Sequence, residues 1–139
     1  MRLLPSGGNA SHPAHNMPGN GQLAALEDQW RTMMLFELRQ YRCRSGKRDE
    51  FVRYMDETLI PFQASKGVVV VGCFVDEEDP DGYVWIRRFD SEEDRELIYE
   101  EIYTSDRWNT EILPAVVKMV HREESVISRL NPTPRSVIR

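Results

Sequence analysis

The sequence predicts an α+β domain of ferredoxin-like β-α-β-β-α-β order, a four-stranded antiparallel sheet with its helices on one face. Three observations predict it. Residues 34–42 alternate as a strand does, residues 68–89 carry the signals of a hairpin, and a helical period occupies the stretches around them.

Each element follows from local pattern. In 34–42, Met34, Phe36, Leu38 and Gln40 share one face, and Leu35, Glu37, Arg39 and Tyr41 share the other. Ser45-Gly46 breaks that strand. Phe51, Met55, Leu59 and Phe62 then recur as the buried stripe of a helix that Pro61 and Lys66-Gly67 bring to an end. Residues 68–75, VVVVGCFV, read as a strand buried on both faces, with a bulge at Gly72. Asp79-Pro80-Asp81-Gly82 fits a type I turn into the strand 83–89, YVWIRRF. Ser91 to Asp94 forms a capping box before a helix with Leu97, Ile98 and Ile102 on one side. A further helical stretch from Asp106 carries Trp108, Ile112 and Leu113, and Pro114 kinks or ends it. The last strand is read at 122–130, and Asn131-Pro132-Thr133-Pro134 closes the domain. The topology makes the first and third strands central and leaves one apolar sheet face without helices. Such a face predicts a homodimer whose sheets meet, a dimeric α+β barrel.

With 139 residues, 40% of them apolar and 29% charged, the chain has the balance of one globular domain. No apolar run approaches the roughly 18 residues of a membrane span. Eighteen Lys and Arg are interleaved with 23 Asp and Glu, for a net charge of −5. No basic stripe emerges, which argues against nucleic acid and membrane partners. Two cysteines make no disulfide framework and point to a reducing, cytoplasmic setting. Residues 1–33 read as a weakly ordered extension, rich in Gly and Pro over 1–21, with a short helix at 22–32. It lacks the features of a secretory or transit segment, and Met33-Met34 offers an alternative start of translation. The domain proper runs over 34–131 and a tail over 132–139.

These residues resemble the NIPSNAP family. The likeness rests on FELRQY at the first strand, SGKRDEF on the first helix, Pro61 near its end, YVWIRRF, and SDRW in the late helix. It runs from about Phe36 to about Leu130. The resemblance implies a dimeric α+β barrel, with a ligand cavity between the sheet and its own helices. It implies no agreed activity or catalytic residues. Relatives in the wider superfamily include cofactor-free monooxygenases, isomerases, cyclases and haem-degrading enzymes.

Charged residues on central strands require partners, so Glu37, Arg39 and Arg87 are the candidate catalytic set. Arg39 and Arg87 would hold an anion and Glu37 would accept a proton. Tyr41, Tyr54, Trp85 and Trp108 are the candidate walls for an aromatic or acyl metabolite. The competing reading makes the charges a structural Glu–Arg network and the domain a protein-interaction module. A distant third, haem handling, rests on His121. His12 and His15 have HxxH spacing without further ligands, so no metal site is predicted. The acidic stretch from Asp76 to Asp81 lacks an EF-hand pattern and reads as a solvated turn. The common nucleotide-binding and serine-hydrolase motifs are absent, and no cofactor is called for.

Overall fold

Strand β1 (Leu35–Arg42) is the spine of the domain. In the computed structural model, which describes Met17 and residues 19–139, it pairs antiparallel with β3 (Gly82–Phe89) on one side and β4 (Val126–Leu130) on the other. Strand β2 (Val69–Val75) pairs with β3, giving the order β2-β3-β1-β4. The two central strands are the ones the topology predicts. The expected disorder at the start of the chain and the HxxH pair lie outside the described residues. Helix α1 (Asn20–Thr32) begins two residues before the predicted one and lies against α4 (Glu92–Tyr103).

The helices bear out their signals with one difference. Helix α2 (Arg48–Tyr54) runs through a π-turn (Met55–Leu59) into α3 (Ile60–Ser65), and a second π-turn (Trp108–Ile112) leads into α5 (Leu113–Met119). In each π-turn the closing N–H reaches five residues back, Ile60 to Met55 and Leu113 to Trp108. Each turn stands just ahead of a proline, Pro61 or Pro114, near the start of the next helix. A proline clashes with the carbonyl four residues before it and donates no hydrogen bond. The widened turn moves that carbonyl aside, so Pro61 does not end its helix. The helix ends at Ser65, and Gly67 two residues on, with a φ of 101°, provides the left-handed cap.

Ser91 caps α4 by accepting from the backbone N–H of Asp94. Ile98 and Ile102 are buried on that helix, but Leu97 is exposed. The hairpin closes with Gly82 N–H donating to Asp79 O at 3.1 Å, and the bulge falls between Val70 and Gly72. The Asp76 carboxylate accepts from the N–H groups of Glu78 and Asp79, as a solvated turn requires. Two strand readings need correction. β2 is an edge strand and mostly exposed, because a β-branched run reports strand propensity and not position in the sheet. β4 begins at Val126, and Arg122–Glu124 form a 3₁₀ turn before it.

The core lies between the helices and the sheet face carrying Leu35, Glu37, Tyr83, Trp85, Arg87 and Phe89. Phe51 of α2 meets Tyr83 edge-on at 5.0 Å. On the opposite face Val69, Phe74, Val126 and Leu130 remain exposed. The tail does not leave the domain there. Arg88 Nε donates to Arg139 O at 2.6 Å, and Ser136 and Ile138 line a small pocket with Phe36 and Ile86.

Candidate functional site

Register builds the site. Glu37 and Arg87 are direct partners across β1 and β3, and both are completely buried. Alternation brings Arg39, two residues on, to the same face, opposite Trp85. Helix α4 adds Arg95, Tyr99 and Tyr103 at spacings of four, one stripe facing the sheet.

Glu37 is the hub. Its Oε2 accepts from Arg87 Nη2 at 2.7 Å and from Arg39 Nη1 at 2.8 Å, and its Oε1 accepts from Arg95 Nε at 2.6 Å. The Tyr99 hydroxyl donates to both oxygens, at 2.7 and 2.8 Å. Arg87 also donates to Gln63 Oε1 at 2.8 Å and to the Tyr103 hydroxyl at 3.2 Å. Its guanidinium lies 5.2 Å from the Trp85 ring, 5.4 Å from Phe89 and 5.0 Å from Tyr99, an aromatic surround suited to a desolvated cation. Arg39 Nε donates to the Tyr41 hydroxyl at 2.8 Å. Outside this hub, Glu92 receives both Arg95 and Arg129.

Burial raises the Glu37 carboxyl, but the Arg87 charge and the hydrogen bonds of Arg87, Tyr99 and Arg95 outweigh it. They hold it at about 2, below its ordinary 4.5. Burial pushes the Tyr99 hydroxyl up to about 12 against the pull of Arg87 and Arg39, so it stays protonated and donates. A carboxylate lower in the folded than in the unfolded state stabilises the fold above its unfolded value. That contribution fades as pH falls from about 4.5 toward 2. Acid titration by circular dichroism is therefore expected to show unfolding in that window, and Glu37→Gln to remove much of the slope.

Beside the hub opens a cavity of about 560 Å³ between the sheet and its own helices. Of the residues singled out from the sequence, Arg39, Tyr41, Trp85 and Trp108 line it. Tyr54 does not. It borders a separate groove with Arg53 and Lys118, because it projects one helical face away from the Phe51 stripe. Glu37 and Arg87 sit behind the cavity wall. With both oxygens filled by donors and its carboxyl held low, Glu37 suits the task of fixing guanidiniums, not of accepting a proton. Sequence reasoning misses Arg95, Tyr99 and Tyr103, which also line the cavity. Their spacing of four was the available signal. His121 stands outside the lining, its Nδ1 at 3.3 Å from Arg44 Nη1 and 3.4 Å from Glu123 Oε1. Nothing in that placement favours haem. Cys43 is buried and Cys73 exposed, both free. Among the described residues no cluster of His, Cys, Asp or Glu could hold a metal, and no helix is long and apolar enough to cross a membrane.

The NIPSNAP family profile matches residues 36–136, from the β1 residue beside Glu37 to the tail over the outer face. The chain belongs to the NIPSNAP family. Solved NIPSNAP structures agree. A NIPSNAP family protein of Agrobacterium tumefaciens is 29% identical with a TM-score of 0.67, covering 77% of this chain and 92% of that one. A second from the same organism, described as having unknown function, is 25% identical with a TM-score of 0.69, covering 78% and 96%. A NIPSNAP-like domain protein of Burkholderia xenovorans, 20% identical with a TM-score of 0.68, covers 76% and 90% and shares the fold. No match is found among curated proteins. The NIPSNAP likeness thus secures family and fold, and the chemistry of the site rests on its own residues.

Proposed function

We propose that this NIPSNAP protein binds a small organic anion with an aromatic or acyl body in the cavity between sheet and helices. One observation carries the reading. Among the described residues, the hydrogen bonds of the three mostly buried guanidiniums of Arg39, Arg87 and Arg95 reach two carboxylates, of Glu37 and Glu92, a surplus of one positive charge, and Glu92 also receives the half-exposed Arg129. Partly buried charge is costly without a counter-charge, and an anionic ligand provides one. Trp85, Trp108 and Tyr103 supply the apolar walls, and the volume falls in the range of roughly 300–1,000 Å³ usual for small-molecule sites. The same donors would stabilise negative charge developing on a ligand oxygen, as cofactor-independent oxygenase or isomerase chemistry requires. A filled interior would have favoured a protein-interaction module instead. The working unit of this proposal is a homodimer, because Val69, Phe74, Val126 and Leu130 leave the outer face apolar.

Native mass spectrometry of the protein purified from its own host tests both parts. The expected result is the mass of a dimer with a retained organic acid. A retained polyamine or neutral lipid would count against the anion reading, and a monomer would count against the paired sheets.

A further inference from the structure

If the cavity binds an anion as proposed above, its own donors and acceptors select which anion it takes. The side-chain acceptors of Glu37 and Gln63 are already used. Glu37 Oε1 and Oε2 are filled by Arg39, Arg87, Arg95 and Tyr99, and Gln63 Oε1 by Arg87. The donors are not all used. Nη2 of Arg39 and Nη2 of Arg95 have no acceptor among the described residues, although both arginines line the cavity. The hydroxyls of Tyr41 and Tyr103 each accept from a guanidinium, at 2.8 and 3.2 Å. Their own protons therefore remain to be donated, also into the cavity. Around Arg39 and Arg95 unused donors therefore outnumber free acceptors, since the Glu123 carboxylate of the lining lies beside His121 with a mostly exposed side chain. A ligand group that itself donates is poorly matched there. A group with two acceptor oxygens and a negative charge matches the arginine forks and the two hydroxyls.

The Glu37 carboxylate is also unavailable as a base. A general base needs a free lone pair within reach of the ligand. Those of Glu37 are occupied. The carboxylate that does line the cavity, Glu123, lies with a mostly exposed side chain beside His121.

We infer that the inner end of the cavity receives a carboxylate already ionised in solution, carried on an aromatic or acyl body, and that no protein group there takes a proton from it. Isomerisation and cofactor-free oxygenation begun by proton abstraction at that end are thereby set aside, and binding of a ready-made carboxylate is kept.

Isothermal titration calorimetry with matched pairs tests this, using 2-naphthoate against 2-naphthamide and decanoate against decanamide. The acid of at least one pair is expected to bind roughly 30-fold tighter than its amide, which adds N–H donors and removes the charge. Its enthalpy should be the same in buffers of different ionisation heat, because no proton moves. The double variant Tyr41→Phe/Tyr103→Phe keeps Glu37 and its guanidiniums and should weaken the acid about tenfold and the amide, with one acceptor oxygen and no charge, by less. Amide and acid binding equally, or proton release on binding the acid, would overturn the inference. Binding of naphthalene with no preference for the acid would also overturn it and leave the cavity reading standing. Failure of every probe would count against both.

Discussion

Glu37→Leu is expected to destabilise the protein by about 4 kcal/mol, a fall in Tm of roughly 10–20 °C. The reason is not the loss of a favourable pair alone. Arg87 is fully buried, and its charge cannot be discharged by deprotonation at any accessible pH. Removing Glu37 leaves that cation, with Arg39 and Arg95 nearby, facing no carboxylate at the hub. Breaking one side of a buried pair costs more than replacing both sides with apolar groups of similar shape. The double variant Glu37→Leu/Arg87→Met should therefore recover part of the loss, and its stability should exceed that of Glu37→Leu. Urea unfolding of the two variants and the parent provides the comparison. A Glu37→Leu protein as stable as the parent would mean that water reaches Arg87 and that the hub is not closed.

The hub was legible in the sequence because strand alternation is a strict rule. Once 34–42 is a strand, Glu37 and Arg39 must share a face, and once 83–89 is its neighbour, Arg87 must share the face of Trp85 and Phe89. Which face meets the helices was not legible, since both faces of 83–89 carry apolar residues. The helical contribution was half legible. Ile98 and Ile102 draw attention to one stripe of α4, while Arg95, Tyr99 and Tyr103 occupy an adjoining stripe that counts as polar by composition. Their value comes only from the partners that tertiary packing brings to them. Tyr54 shows the converse. Its residue type suits a pocket wall, but it lies one helical face away from the buried stripe. The π-turns shift helical phase by one residue ahead of Pro61 and Pro114, and no periodicity rule foresees that shift. It matters to the site, since Leu59 and Trp108, which belong to those turns, both line the cavity.

The two arginines that the strands place side by side are expected to separate under mutation. Arg87 makes its contacts inward, to Glu37, Gln63, Tyr99 and Tyr103, and is closed off from the cavity. Arg39 shares Glu37 but keeps 12% of its side chain exposed and one nitrogen unpartnered toward the cavity. Arg87→Met removes a cation that no ligand touches. It should cost about 3 kcal/mol of stability, and the folded protein should still bind 2-naphthoate within roughly threefold of the parent. Arg39→Met leaves Glu37 with Arg87, Arg95 and Tyr99. It should cost only about 1 kcal/mol of stability but weaken the same carboxylate roughly 30-fold or more, because a partly desolvated charge pair with the ligand is lost. The measurement is a pair of curves for each variant, urea unfolding and calorimetric titration. If both variants lose stability and affinity in the same proportion, the arginines form one structural unit and the ligand has no privileged contact with Arg39. If affinity falls with Arg39 alone, Glu37 and Arg87 form the rigid frame on which Arg39 is held toward the ligand, and the buried ion pair has its function in that positioning.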